Sequence, residues 1–177
     1  MELREHLKEN RGFILGKWFD RIIKSYPANT SEFLAKQKDQ FRNPVGHAIT
    51  KSIGPIYDEI TSSMDDDELL RALDGVIRIR AVQDFSASKA VAFVFELKAV
   101  IRDSLGDNPG RLERSGELRE LDSRIDQVAL LTFDKYTECR EKLHEVRNNE
   151  IKNRSTRLLE RINARPAIPP HEGEAPR

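Results

Sequence analysis

A single cysteine, Cys139, stands among 177 residues, so no disulfide can close within the chain and a reducing compartment suits the composition. The four histidines, His6, His47, His144 and His171, are scattered, none of them three or four residues from another. A zinc site built from His and Cys is therefore not expected. No uncharged run approaches the ~18 residues of a membrane-spanning helix. Glu2, Arg4, Glu5, Lys8 and Glu9 occupy the region where a signal peptide would need apolar residues. Neither sign of charge is in excess, with 30 basic against 30 acidic side chains. A nucleic-acid binder ordinarily carries a basic surplus, so nucleic acid is not an expected partner. The phosphate-cradling loop, the dinucleotide fingerprint and the nucleophile elbow are all missing. Cys139 and His144, five apart on one helix, fall on different faces, which removes a Cys–His nucleophile. Cys139 lies on an apolar stripe and is expected to be a small buried thiol. The chain reads as a cytoplasmic, non-enzymatic protein with no membrane span.

What is present is helical. Hydrophobic residues make up 38% and charged residues 34%, as in helices with one buried and one solvated face. The spacing of Leu3, Leu7, Ile14, Trp18 and Ile22 predicts one helix over 2–25, ending before Pro27. Gly12 and Gly16 on it form a small-residue pair suited to close packing. Thr30 or Ser31 is expected to cap a short helix reaching about Gln37. Asn43-Pro44 opens another, with Asn as N-cap and Pro in the first helical position. That helix is expected to reach about Ile60, with a kink or short break near Gly54 caused by Pro55.

Asp65, Asp66, Asp67 and Glu68 suit the positive end of the following helix, which runs to about Asp84. No calcium-loop spacing accompanies them. Ser86 then caps the most apolar segment. From Ala90 to Phe95 no charge appears, which predicts a helix buried on all sides. After a turn at Gly106–Gly110, apolar positions from Leu118 to Val146 recur every three or four residues. They predict one final helix of forty residues or so. Glu120–Arg124, Glu138–Lys142 and Glu150–Arg154 are favourable pairs along it. The apolar stripe thins after Val146, so the last turns are expected to project. Basic residues there complement the helix dipole or dock a partner. The domain is expected to span 1–162, and the Pro-rich tail at 163–177 to be disordered.

Two polar clusters adjoin helix ends. Arg42, Asn43 and His47 surround one start, and Arg80, Gln83 and Asp84 precede the apolar helix. Buried polar groups must be paired, so these six either lock helix ends together or contact a ligand or partner. Asp122 and Asp126 share a helix face as a possible acid–base couple, but Arg119 and Arg124 nearby make a salt-bridge network the better reading.

Phe41-Arg-Asn-Pro-Val-Gly46, Arg80-Ala-Val-Gln-Asp-Phe85 with Ser88, Ala90-Val-Ala-Phe-Val-Phe-Glu-Leu-Lys98, and Arg140-Glu-Lys with Arg147-Asn-Asn-Glu-Ile-Lys152 carry a family resemblance. Over about residues 5–160 the chain resembles the RsbRD-type N-terminal domain, the input domain of one class of RsbT co-antagonist proteins in bacterial stress signalling. The resemblance implies an all-α, globin-like, non-haem sensor domain of about six helices with a long, projecting C-terminal helix. It also implies a homodimer, a small-molecule signal, and a regulatory protein partner to which that helix relays the state of the domain. The alternative is a ligand-free structural adaptor that assembles through its helices. Two departures stand out. The Thr-Pro-Ser-Gln-like corner of the family is Ser86-Ala-Ser-Lys89 here, which keeps the cap but loses the Pro and the capping-box Gln. Only twelve residues follow Arg165, so the STAS output module that follows such domains is not expected in this chain. From Ala48 to Leu143 there is no histidine to act as an axial ligand, and His47 and His144 are not in the right place, so haem is not expected; no other cofactor is expected either.

Overall fold

The computed structural model describes residues 3–37, 39–62, 64–106 and 116–164. The described residues form seven α-helices: α1 (Leu3–Glu9), α2 (Arg11–Ile23), α3 (Ala28–Lys36), α4 (Pro44–Thr61), α5 (Asp66–Val82), α6 (Ala87–Ser104) and α7 (Gly116–Asn163). The all-α class and the long final helix are as the sequence predicts. Residues 107–110 of the predicted turn and the tail beyond Ala164 lie outside the described residues.

The predicted first helix is two helices. Asn10 breaks it with φ −95° and ψ 9°. Its Nδ2 donates to the His6 carbonyl at 3.0 Å and meets His6 Nδ1 at 3.3 Å, a local alternative to continuing the helix. The break turns His6 inward, where its Nε2 lies 3.1 Å from Ser104 Oγ. Helix α3 starts earlier than expected, after Pro27, whose extended backbone makes it the N-cap without any side-chain bond. Helix α4 runs through Pro55 with no break. Helix α5 stops at Val82, and its N-cap Asp65 accepts from the amides of Asp67 and Glu68, the capping role read from the acidic cluster. Ser86 caps α6 through the Lys89 amide.

The chain divides into two compact units, Met1–Arg140 and Glu141–Arg177. In the first, α4 packs on α5, and α2 packs on α6, α4 and α3. Trp18, the only tryptophan, is wholly buried. Its Nε1 donates to the Phe93 carbonyl at 2.7 Å, and its ring stacks on Phe93. Tyr57 Oη donates to the Leu7 carbonyl at 2.9 Å, tying α4 to α1.

Helix α6 is not buried all round. Val91, Phe93, Val94 and Leu97 face inward, while Ala92 and Phe95 are exposed and Lys98 carries its charge over the Phe95 ring. The uncharged run thus exceeds the face that neighbouring helices cover. Gly12 and Gly16 face open space, so no close packing among the described residues uses them.

Polar links hold the 116–140 part of α7 to the rest of its unit. Glu117 accepts from the Leu3 amide, and Arg124 donates to the Ser62 carbonyl at 2.7 Å. Lys98 pairs with Asp126 and Arg102 with Asp122. The two aspartates are therefore salt-bridge partners as predicted, but of α6 residues and not of Arg119 and Arg124 on their own helix. Cys139 is half-buried, where a buried thiol was expected, and its partial burial raises its pKa.

The second unit holds the α7 residues from Glu141 to Asn163. All are exposed except Leu143, which is half-buried. Helix α7 has 48 residues, more than the forty or so expected.

Candidate functional site

The six sequence candidates fall at two joints, and the structure separates them by role. The first joint connects α3 to α4. Asn43 is buried, and its Oδ1 accepts from the Gly46 amide at 2.8 Å as the N-cap of α4. Its Nδ2 donates to the carbonyls of Leu34 and Gln37, at 3.1 and 2.7 Å, where α3 ends. One side-chain amide therefore satisfies orphan groups of two helix termini. The same geometry explains the glycine three residues on. A Cβ on Gly46 would come within 2.3 Å of Asn43 Nδ2. Arg42 and His47 flank this joint but are exposed.

The second joint is the corner between α5 and α6. Arg80, in the last turn of α5, is wholly buried, and among the described residues no carboxylate pairs with it. Its Nη1 donates to the Lys89 carbonyl at 2.8 Å and, more weakly, to that of Ala90. Its Nη2 donates to Ser25 Oγ at 3.2 Å. The guanidinium carbon lies 5.0 Å from the Phe85 and Phe93 ring centres and 5.8 Å from that of Tyr26, so three aromatic faces replace the missing anion. Burial lowers the Arg80 pKa, and an arginine stays charged there nonetheless. Two buried polar atoms in this cluster, Arg80 Nε and Tyr26 Oη, have no hydrogen-bond partner among the described residues. Burial raises the Tyr26 phenol, and the Arg80 charge opposes that rise.

Beyond Arg80 the chain turns sharply. Gln83 caps α5 and is exposed, and Asp84 takes the left-handed conformation with φ 56°. The Phe85 amide then reaches back to the Arg80 carbonyl at 3.2 Å, the long bond of a Schellman ending with aspartate where glycine is usual.

This corner is bonded to α7. Arg140 Nη1 donates to the Ala81 carbonyl at 2.9 Å and to Asp84 Oδ1 at 2.5 Å. Tyr136 Oη donates to the Phe85 carbonyl. Next to Tyr136, Lys135 forms an ion pair with Asp74, whose other oxygen holds Arg78.

Of the six, Asn43, Arg80 and Asp84 bond at helix ends, while Arg42, His47 and Gln83 are exposed. The sequence reading missed Ser25 and Tyr26, which contact Arg80, and Tyr136, which bonds Phe85, all far from the corner in the chain. Arg140 was visible only as part of a family motif. The one signal for Tyr136 was its place on the α7 stripe.

The two joints use different helices, and Asn43 and Arg80 spend their polar groups inside the protein. Chemically the corner offers hydrogen bonds and a fixed positive charge, with no nucleophile–base pair. Among the described residues no three His, Cys, Asp or Glu side chains converge as a metal site, and no helix is long and apolar enough to cross a membrane. An open depression of about 450 Å³ lies against α3, lined by Asn29, Glu32, Phe33, Lys36 and Gln37, away from the buried guanidinium.

Comparison with known proteins gives the setting for these joints. Residues 14–151 match the family described as the RsbT co-antagonist protein rsbRD N-terminal domain, a stretch holding both joints and the Tyr136–Arg140 segment. No curated protein and no solved structure matches the chain. On the strength of a match over more than half its length, this chain belongs to the family of RsbT co-antagonist rsbRD N-terminal domains.

Proposed function

We propose that this domain is a non-catalytic, cytoplasmic input module of a stress-signalling pathway, globin-like and homodimeric, which passes the state of its α5–α6 corner into α7. The observation that carries this reading is the set of bonds from Ala81, Asp84 and Phe85 to Tyr136 and Arg140. A ligand acts through such a joint only if it has different affinities for two arrangements of it. Arg42, His47 and Gln83 are the exposed candidates for contacting a small-molecule signal or regulatory partner. Asn43, Arg80 and Asp84 act by position, because their polar groups bond within the chain.

The experiment pairs Tyr136→Phe with Arg140→Ala and follows hydrogen exchange in residues 141–163. The relay reading expects exchange there to change while the melting temperature moves by only a few degrees. Unchanged exchange overturns the relay. Sedimentation of the wild-type chain tests the dimer, and a monomer throughout the micromolar range refutes it.

A second reading, the ligand-free adaptor, is favoured by how fully Asn43 and Arg80 are used internally. Native mass spectrometry separates the two. Retained small-molecule mass supports the sensor, and a bare assembly with an unoccupied α5–α6 corner supports the adaptor.

A further inference from the structure

The exposed end of α7 carries a pattern that neither joint uses. Ile151, Leu158 and Ile162 are 60%, 58% and 64% exposed. At 3.6 residues per turn they lie within about 40° of one another around the helix axis. Asn148 and Ser155 complete the stripe, so its positions alternate by three and four residues in a coiled-coil seam. Arg147, Arg154 and Arg161 recur at heptad spacing along one edge, with Lys152 on the other. Arg154 reaches Glu150 on its own helix at 2.6 Å, and among the described residues no carboxylate pairs with Arg147 or Arg161. The family match ends at residue 151, so most of this seam lies outside the matched stretch.

The flanking charges select what can cover the seam. With Asn148, Ser155 and Ile162 as the a positions and Ile151 and Leu158 as the d positions, the three arginines occupy g positions and Lys152 and Leu159 occupy e positions. In a parallel pair of copies Arg147 would face the second copy's lysine at 152, and Arg154 its leucine at 159. In an antiparallel pair arginines would face arginines. Neither arrangement gives these three arginines a carboxylate. Asn148 and Ser155 also interrupt the aliphatic positions, unlike the continuous apolar face of a helix that lies in a bilayer surface, and Glu150 and Glu160 interrupt any continuous basic face for nucleic acid.

We propose that residues 147–162 of α7 dock an amphipathic helix of another protein, one with an apolar heptad seam flanked by glutamates or aspartates. Carboxylates at its edge would pair with Arg147, Arg154 and Arg161, and its aliphatic side chains would cover Ile151, Leu158 and Ile162. Flanking charges of this kind set partner choice and orientation in coiled coils. The inference is independent of the corner-to-α7 relay.

The test uses the full chain and two labelled synthetic helices with Leu and Ile in the seam, one with Glu at every flanking position and one with Lys. Fluorescence anisotropy should show the Glu helix binding at least roughly tenfold more tightly than the Lys helix, with the difference shrinking as salt rises. The variant R147E/R154E/R161E should invert the preference. Leu158→Ser should abolish Glu-helix binding without changing the helical circular dichroism or the Trp18 emission. Equal binding of the two helices, or binding of neither, overturns the proposal. Two other outcomes also overturn it: binding to phosphatidylglycerol vesicles that Leu158→Ser abolishes while the Glu helix fails to bind, and a self-association that Ile162→Asp dissolves.

Discussion

Replacing Asp84 should separate the stability of the domain from the attachment of α7. Asp84 holds φ at 56°, a conformation that costs an L-residue roughly 1–2 kcal/mol. Glycine removes that cost but adds roughly 0.5–1 kcal/mol of freedom to the unfolded chain. The ion pair to Arg140 is lost as well. Asp84 is 63% exposed in that pair, so its contribution to global stability is small. The balance puts Asp84→Gly at or slightly above wild type. Asp84→Ala keeps the strained backbone, loses the aspartate's capacity to bond locally, and loses the pair too. At about 2–4 °C per kcal/mol for a chain of this size, the alanine variant should melt roughly 2–4 °C below the glycine variant. Both should lose amide protection around Tyr136–Arg140, and Asp84→Asn, which tolerates the left-handed region and can still accept from Arg140, should lose less. Thermal unfolding with hydrogen exchange by mass spectrometry reads both quantities. A glycine variant melting as low as the alanine variant would refute the backbone argument. Undiminished protection near Arg140 in both would refute the clamp.

Asn43→Ala should cost roughly 2–4 kcal/mol, from a lost N-cap of about 1 kcal/mol and two buried carbonyls left without a donor. Asn43→Asp should recover only the cap, and a melting temperature unmoved by either change would show that Asn43 serves a ligand and not the joint. Tyr57 gives a pH signature. Burial raises its phenol above the ordinary 10.0, so the folded state holds the proton longer than the unfolded chain does. Its contribution is complete below pH 10 and is lost progressively as pH rises above that. Tyr57→Phe should cost about 1 kcal/mol at pH 7 through the lost bond to Leu7 and flatten the decline in urea stability between pH 10 and 11. A residual slope from Tyr26, raised by burial in the same way, should persist. An unaltered slope in the variant would contradict the assignment.

Helix starts were legible wherever the cap is local. Asn43, Asp65 and Ser86 each bond an amide two or three residues ahead, and that chemistry is written in consecutive letters. The break at Asn10 was not legible, because it accompanies the burial of His6 against Ser104, a residue 98 positions away. The same distance rule governs the candidate site. Sequence pattern selected Arg80 and Asp84 as polar residues at a corner, but their roles come from Ser25, Tyr26, Phe93 and Arg140, brought there by the packing of α2, α6 and α7. The uncharged run of α6 misled for a related reason. Periodicity reports how much apolar surface a helix carries, and only the neighbours decide how much is covered, leaving Phe95 46% exposed.

Arg80 remains an odd choice for stability alone. Burying a cation without an anion is costly, and among the described residues one donor of the guanidinium and the Tyr26 hydroxyl find no partner as well. What the arginine supplies is geometry. Its planar fork reaches the end of α2 through Ser25 and the start of α6 through the Lys89 carbonyl, from the last turn of α5. A flexible apolar side chain filling the same space would fix none of those distances. The five residues that follow Arg80 include the three that bond to α7, Ala81, Asp84 and Phe85. A residue that costs stability while tying three helix ends to one corner is better suited to coupling than to support. That is the physical reason for proposing the signalling joint at Arg80–Phe85 and not at Asn43, whose bonds close only the link between two consecutive helices.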